Sequence, residues 1–183
     1  MNKTKLSKTV SYILRHHPES FDLKLAADAT VKTDDLLAAL QKKFKDITKA
    51  DLIEMVENDA KGRFSFLDDN KRIRANYGHS MEGVNPDYEA VKPPEYLYHG
   101  TTPEVKNKIL ASGIKPMGRN YVHLSVGVKE AKKVARRRTN QPVIFKIEAL
   151  RAFREGHNFY KTAEDIYLTD QISADYLSLL NNK

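Results

Sequence analysis

A segment without hydrophobic periodicity separates two patterned halves of this 183-residue chain. The segment covers residues 78–94 and carries Gly78, Gly83, Pro86, Pro93 and Pro94. Glycine and proline at this density interrupt helices and strands. A chain of this length can bury one full core or two small ones. The sequence therefore predicts two domains, residues 1–77 and 95–183, joined by a linker over 78–94.

The first half has the pattern of three helices and a hairpin. Apolar residues at helical spacing begin it: Leu6, Val10, Ile13 and Leu14. Pro18 predicts that this helix ends near His17, which puts Arg15 and His16 in its last turn. A second helix is expected from Thr33 and a third after Thr48, and alternating residues 63–67 and 71–75 flank turn-forming residues. This order is typical of a winged-helix domain.

The second half alternates short strands with short helices. The strand-like segments are residues 96–99, 121–125, 143–147 and 166–169. Thr102-Pro103 and Gly113 have the positions of a helix start and a helix end. The intervals are too irregular for repeated βαβ units, so we expect an α+β fold with a mixed sheet.

Composition narrows the class of protein. The chain has no cysteine and a net charge of +7. The lack of cysteine excludes thiolate chemistry and fits a reducing, cytoplasmic setting. The positive net charge fits a polyanionic partner, although lysine-rich surfaces also increase solubility. We find no apolar run of the length that a signal peptide or a membrane span needs, and we expect a monomer.

Common nucleotide and metal motifs are missing. The eight glycines never occur as Gly-x-Gly, which excludes a Rossmann fingerprint and a Walker loop. The six histidines are scattered, with no His-x-x-x-His pair and third ligand. We therefore expect a metal-independent site that holds any dinucleotide in another way.

Several short motifs nevertheless occur in a characteristic order. They are Leu14-Arg15-His16, Ile73-Arg74-Ala75 with Gly78-His79-Ser80, Leu97-Tyr98-His99-Gly100-Thr101, Arg119 to Ser125, and Tyr167-Leu168-Thr169. In this order the chain resembles the RNA (tRNA) 2′-phosphotransferases, enzymes of tRNA splicing and RNA repair, from about residue 5 to residue 178. The resemblance implies a winged-helix lobe followed by a lobe with the ADP-ribosyltransferase fold.

The resemblance also implies a reaction. An internal RNA 2′-phosphate attacks the nicotinamide-bearing ribose carbon of NAD⁺, and nicotinamide leaves. The ribose 2″-hydroxyl then attacks the phosphorus of this adduct, which releases RNA and ADP-ribose 1″,2″-cyclic phosphate. The first step depends on positioning, whereas the second builds charge on phosphoryl oxygens, where arginine donors are most effective.

Motif matching assigns the residues. The resemblance implies a catalytic set around the phosphate of Arg15, His16, Arg74 and Arg119. It implies NAD⁺ contacts from His99, Gly100, Thr101, His123 and Ser125, with the glycine allowing close approach to the ligand. His79 and Ser80 are expected in the RNA or NAD⁺ pocket.

Other interpretations remain open at this stage. Arg15 and His16 could cap a helix, Arg74 and Arg119 could be solvated charges, and His123 could be a core histidine. The chain could also be an ADP-ribosyltransferase that acts on a protein or on a nucleic-acid terminal phosphate, or a non-catalytic winged-helix nucleic-acid binder. The basic run 136–138 is interpreted as the solvated face of a helix.

Overall fold

The computed structural model describes residues 2–180 and contains two compact units, Met1–Asp87 and Tyr88–Lys183. The division lies inside the segment 78–94, but that segment is not a simple connection. The backbone N–H of Ser80 donates to the carbonyl oxygen of Arg15, and the backbone N–H of Val91 donates to that of Phe159. Each end of the segment is thus built into one unit.

The first unit contains three α-helices in addition to a sheet: α1 Lys3–Arg15, α2 Thr33–Gln41 and α3 Lys49–Glu57. The expected capping box opens α3, because the side chain of Thr48 accepts from the backbone of Asp51 while the Asp51 carboxylate accepts from that of Thr48. The apolar face of α1 is buried, with Leu6, Val10 and Ile13 in the core. Packing of this face against the core holds α1 in place, and with it the position of Arg15 at the end of the helix.

The sheet of the first unit has three strands: β1 Thr30–Lys32, β2 Phe64–Leu67 and β3 Arg72–Ala75. Strand β3 is central and antiparallel to both neighbours. Because side chains alternate along a strand, Ile73 and Ala75 are buried while Arg74 lies on the other face. The hairpin was predicted, but the three-residue β1 was not.

The second unit contains one six-stranded sheet with order β7-β8-β5-β4-β6-β9. Its strands are β4 Leu97–Thr101, β5 Val122–Ser125, β6 Val143–Ile147, β7 Tyr160–Ala163, β8 Ile166–Thr169 and β9 Leu177–Leu179. Its helices are α4 Lys106–Ser112, α5 Val128–Ala135 and α6 Ala149–Arg154. A 3₁₀ turn, Pro103–Val105, precedes α4, and Gly113 ends that helix, as the sequence predicts.

The expectation of a mixed sheet was wrong, because every described pair of neighbouring strands in this sheet is antiparallel. Helix α5 connects β5 to β6, and these two strands do point the same way. Strand β4 lies between them and is antiparallel to both. A helix between two strands in the sequence suggests that the strands are parallel neighbours in the sheet. Here the connection passes over β4, which separates them.

No helix within residues 2–180 is long and apolar enough to cross a membrane.

Candidate functional site

The first unit brings Arg15, His16 and Ser80 into direct contact. The backbone N–H of Ser80 donates to the carbonyl oxygen of Arg15 at 3.0 Å, and Ser80 Oγ lies 2.9 Å from His16 Nδ1. The turn that returns the chain to α1 uses Gly78, whose φ of +91° suits glycine far better than other residues. The two predicted motifs therefore meet at the C-terminal end of α1.

An aromatic ring supports the Arg15 guanidinium. Its Cζ atom lies 4.8 Å from the centroid of the buried Tyr77 ring, a cation–π arrangement. The Tyr77 hydroxyl donates to the carbonyl oxygen of Lys61 at 3.1 Å, and burial raises the pKa of this hydroxyl. Tyr77 thus holds the guanidinium in place. Sequence reasoning assigned no role to Tyr77, whose one signal is its place directly before Gly78-His79-Ser80.

A neutral imidazole lies among these cations. His79 is 3% exposed, and its pKa is lowered to about 4, first by burial and then by the positive charges of Arg15, His16 and Arg74. Its Nε2 atom and the Nε atom of Arg74 are both buried without a hydrogen-bond partner among the described residues. All the charges that shift the pKa of His79 are positive.

This arrangement favours an anion. Two guanidiniums and an imidazole lie close enough for their charges to act on one buried histidine, and Arg74 forms no ion pair within residues 2–180. Arginine donors match phosphate oxygens in geometry and in charge. We call Arg15, His16, Arg74, His79 and Ser80 the basic cluster. Arg119, the fourth member of the predicted catalytic set, belongs to the second unit.

Two histidines in the second unit have fixed tautomers. His99 Nδ1 lies 3.1 Å from the carbonyl oxygen of His123, and His123 Nδ1 lies 3.1 Å from that of Tyr121. Because a carbonyl oxygen only accepts, each neutral ring carries its proton on Nδ1 and keeps a lone pair on Nε2. Burial lowers the pKa of His99, although its bond to the His123 carbonyl opposes this shift. His99 Nε2 is therefore an acceptor for a hydroxyl group.

The other predicted NAD⁺ residues lie on β4 and β5. Thr101 ends β4, and Ser125 at the end of β5 is paired with Tyr98. The structure explains why position 100 is a glycine, and the sequence did not indicate this reason. A Cβ atom there would overlap the backbone carbonyl oxygen of Ala131 on α5. The close approach that this glycine allows is to a helix.

Arg119 is exposed in the loop between α4 and β5, two positions before Tyr121, which belongs to a cluster of three tyrosines. The ring centroids of Tyr88, Tyr121 and Tyr160 lie 5.5–5.7 Å apart in pairs. The cluster anchors Tyr121, and thus the backbone that positions His123.

Residues 136–138 follow the end of α5 and are exposed. Within residues 2–180 no group of three or more acidic and histidine side chains is arranged to hold a metal ion.

The charges of the basic cluster suit an anionic ligand, and comparison with known proteins identifies the family. A model of the family described as RNA 2′-phosphotransferase, Tpt1/KptA family, matches residues 1–171. The chain belongs to this family and is therefore a transferase.

Bacterial relatives match over nearly their whole length. A protein of Rhizobium leguminosarum bv. trifolii is 43% identical over 176 residues, which cover 96% of this chain and 94% of the relative. A protein of Bacillus thuringiensis subsp. konkukian is 39% identical over 188 residues and covers both chains fully. A protein of Fusobacterium nucleatum is 36% identical over 176 residues, covering 96% and 98%. All three bear the name "Probable RNA 2'-phosphotransferase".

Proposed function

We propose that this chain removes an internal 2′-phosphate from RNA by transferring it to ADP-ribose derived from NAD⁺. The products are RNA with a free 2′-hydroxyl, nicotinamide and ADP-ribose 1″,2″-cyclic phosphate. The basic cluster is the observation that carries the proposal, together with membership of the RNA 2′-phosphotransferase family. A phosphate monoester is close to dianionic at neutral pH, and this cluster presents several positive groups to it.

Within the basic cluster, we assign the phosphate to Arg15 and Arg74. Tyr77 fixes the guanidinium of Arg15, so its donors are oriented before RNA binds. Arg74 Nε is buried without a hydrogen-bond partner among residues 2–180, which supports the assignment, since phosphate oxygens could satisfy it. By the family resemblance, we also assign Arg119, a residue of the second unit, to the catalytic set. The role of these guanidiniums is to stabilise charge on the phosphoryl oxygens during transfer.

His16 is assigned to proton transfer. Ser80 Oγ lies 3.4 Å from the Arg15 carbonyl oxygen, so its hydroxyl can donate there and accept from His16 Nδ1–H. That tautomer leaves His16 Nε2 as the acceptor. In the second step this nitrogen takes the proton of the attacking 2″-hydroxyl and can return it to the departing RNA 2′-oxygen.

The histidine pair of the second unit fits the ribose of NAD⁺. When bound, NAD⁺ supplies the ribose carbon that accepts the phosphate and a stable leaving group, nicotinamide. The Nε2 lone pair of His99, which only its Nδ1–H tautomer allows, can accept from a ribose hydroxyl, and His123 fixes that tautomer through its carbonyl oxygen. Thr101 and Ser125 contribute hydroxyl groups from the same two strands. Gly100 lies between His99 and Thr101 on β4, and we assign it the role of letting this strand pack closely against α5.

The observed elements also support a finer description of the fold. We propose that the first unit is a winged-helix lobe, with β2 and β3 as the wing, since three helices and a three-stranded antiparallel sheet are its components. We propose that the six-stranded sheet of the second unit is an ADP-ribosyltransferase-like lobe. Its paired histidines on neighbouring strands support this assignment.

Product analysis tests the proposed function. The chain is incubated with NAD⁺ and an oligonucleotide whose single internal 2′-phosphate is labelled. We expect all the label in ADP-ribose cyclic phosphate and one nicotinamide per phosphate removed. Label released as inorganic phosphate, or removed without NAD⁺, would contradict the proposal. Label that stays joined to both RNA and ADP-ribose would instead favour an ADP-ribosyltransferase that modifies nucleic-acid phosphates.

A further inference from the structure

An open groove of about 400 Å³ lies along the exposed face of α1, outside the basic cluster. Its walls include Lys5, Lys8 and Tyr12 of α1, together with Phe21 and Lys43. The three α1 residues are separated by three and four positions, so they share one face of the helix. The same helix ends at Arg15, and the groove is therefore on the element that carries part of the basic cluster.

Tyr12 has an unusual exposure for an aromatic residue. It is 45% exposed and is the only aromatic residue among the large exposed hydrophobic residues of the described chain. Its ring centroid lies 4.9 Å from that of His17, which lies 6.5 Å from that of His16. Glu19 holds the His17 ring, with Oε1 3.0 Å from Nδ1. A row of three rings thus leads from the groove to the basic cluster.

The lysines of the groove differ from their neighbours in sequence. Lys3 forms an ion pair with Glu54, and Lys42 forms one with Asp22. Within residues 2–180, the groove lysines form none: Lys5, Lys8 and Lys43. Uncompensated ammonium groups around an exposed aromatic ring match a ligand that has both phosphates and bases.

We propose that this groove binds single-stranded RNA next to the 2′-phosphate, with one base stacked on Tyr12 and the adjoining phosphodiesters contacted by Lys5, Lys8 and Lys43. The proposal rests on the proposed function for the identity of the RNA, but the groove is a separate binding subsite. His17 lies between the ring of Tyr12 and that of His16, so the stacked base is on the same end of α1 as the histidine assigned to proton transfer. Each base stacked on an aromatic side chain strengthens binding about 5- to 100-fold.

Direct RNA binding tests the stacking contact. The affinity of the full chain for a labelled single-stranded hexanucleotide without a 2′-phosphate is measured by fluorescence anisotropy. Tyr12→Leu should weaken binding at least about fivefold, whereas Tyr12→Phe, which keeps the ring, should bind within about twofold of the unmodified chain. The side chain is half-exposed, and thermal unfolding checks that all three proteins are equally folded. Equal affinities for the Leu and Phe variants would overturn the stacking assignment.

The salt dependence of binding tests the lysines. The variant Lys5→Gln/Lys8→Gln/Lys43→Gln should reduce the slope of log affinity against log salt by about 2, which is three phosphate contacts at about 0.7 each. A matched control carries Lys108→Gln/Lys115→Gln/Lys161→Gln, which removes the same charge from exposed residues of the second unit. The control should keep the original slope. If both triple variants change alike, the charge of the chain and not this groove binds RNA.

The outcomes separate this proposal from the proposed function. If RNA binding depends on Tyr12 but no 2′-phosphate is removed, the RNA subsite stands and the proposed reaction fails. If the phosphate is removed with unchanged KM for the hexanucleotide carrying it in both Tyr12→Leu and the lysine variant, the groove is not an RNA subsite. That second result would favour another occupant, such as an acidic protein.

Discussion

Ser80 Oγ lies 2.9 Å from Nδ1 of His16, and the two residues are 64 positions apart in the chain. The contact exists because the backbone of Ser80 is also bonded to the carbonyl oxygen of Arg15. The hydroxyl therefore sets the orientation and the tautomer of the imidazole to which we assign proton transfer. Ser80 is a positioning residue in this account.

Removing that hydroxyl tests its positioning role. Ser80→Ala keeps the backbone bond to Arg15 but removes the hydroxyl beside His16 Nδ1, so we expect kcat to fall about fivefold, since one hydrogen bond contributes about 1 kcal/mol. Ser80→Thr should restore most of the rate. The pH profile of kcat should shift in the Ala variant alone. Ser112→Ala, which removes a surface hydroxyl bonded to the carbonyl oxygen of Lys108, is the control and should change neither quantity.

The lowered pKa of His79 predicts that the stability of the folded chain depends on pH. Its pKa is about 4 in the folded chain, below the ordinary value of 6.5, so the unfolded chain binds more protons between these values. The free energy of unfolding should therefore rise with pH across this window, and about 3 kcal/mol should be lost as pH falls through it. Urea denaturation between pH 4 and 7 measures the effect. His79→Gln should flatten the curve over this range, whereas His17→Gln, at an exposed position, should not.

Gly100→Ala should destabilise the second unit. The added Cβ would overlap the carbonyl oxygen of Ala131, and a backbone atom cannot turn aside as a side chain can. We expect a loss of 1–3 kcal/mol or more in the free energy of unfolding. Gly118→Ala is the matched control, because nothing lies within 4 Å of its added Cβ. Comparable losses in the two variants would show that α5 does not require the glycine.

Arg119→Ala should affect the two chemical steps unequally. The guanidinium matters most where phosphoryl charge develops, so formation of the RNA-phospho-ADP-ribose adduct should remain detectable while its resolution is blocked. Single-turnover reactions with labelled RNA should show the adduct accumulating. Arg154→Ala, an exposed arginine of α6, should behave as the unmodified chain. An equal loss of both steps would contradict the assignment.

Local patterns predicted much of the fold. Strands β6 and β8 match their predicted bounds, and the Thr48 capping box and the β2–β3 hairpin are present. The sequence did not predict β1, β7 or β9: β1 and β9 have only three residues each and therefore little periodicity of their own, and β7 has no buried side chain to give it an apolar pattern. The partners of β1 and β9, which are β3 and β6, lie far from them in sequence, whereas β7 pairs with the next strand, β8.

The site was only partly accessible to sequence reasoning. Motif order suggested that Arg15 and Ser80 belong to one site, and the structure brings them together. The stacking of Arg15 on Tyr77 and the exposure of Tyr12 depend on tertiary contacts that no spacing encodes. The same holds for Gly100, whose neighbour on α5 is 31 positions away.

The central claim is that the basic cluster recognises an RNA 2′-phosphate. The most direct test compares the affinities of two oligonucleotides that differ only in one internal 2′-phosphate, without NAD⁺ present. The unmodified chain and the control Arg154→Gln should bind the phosphorylated form at least about tenfold more tightly, since hydrogen bonds to charged groups contribute about 1.5–3 kcal/mol each. Arg74→Gln should lose most of this preference while still binding RNA. An undiminished preference in Arg74→Gln would show that the 2′-phosphate is recognised elsewhere.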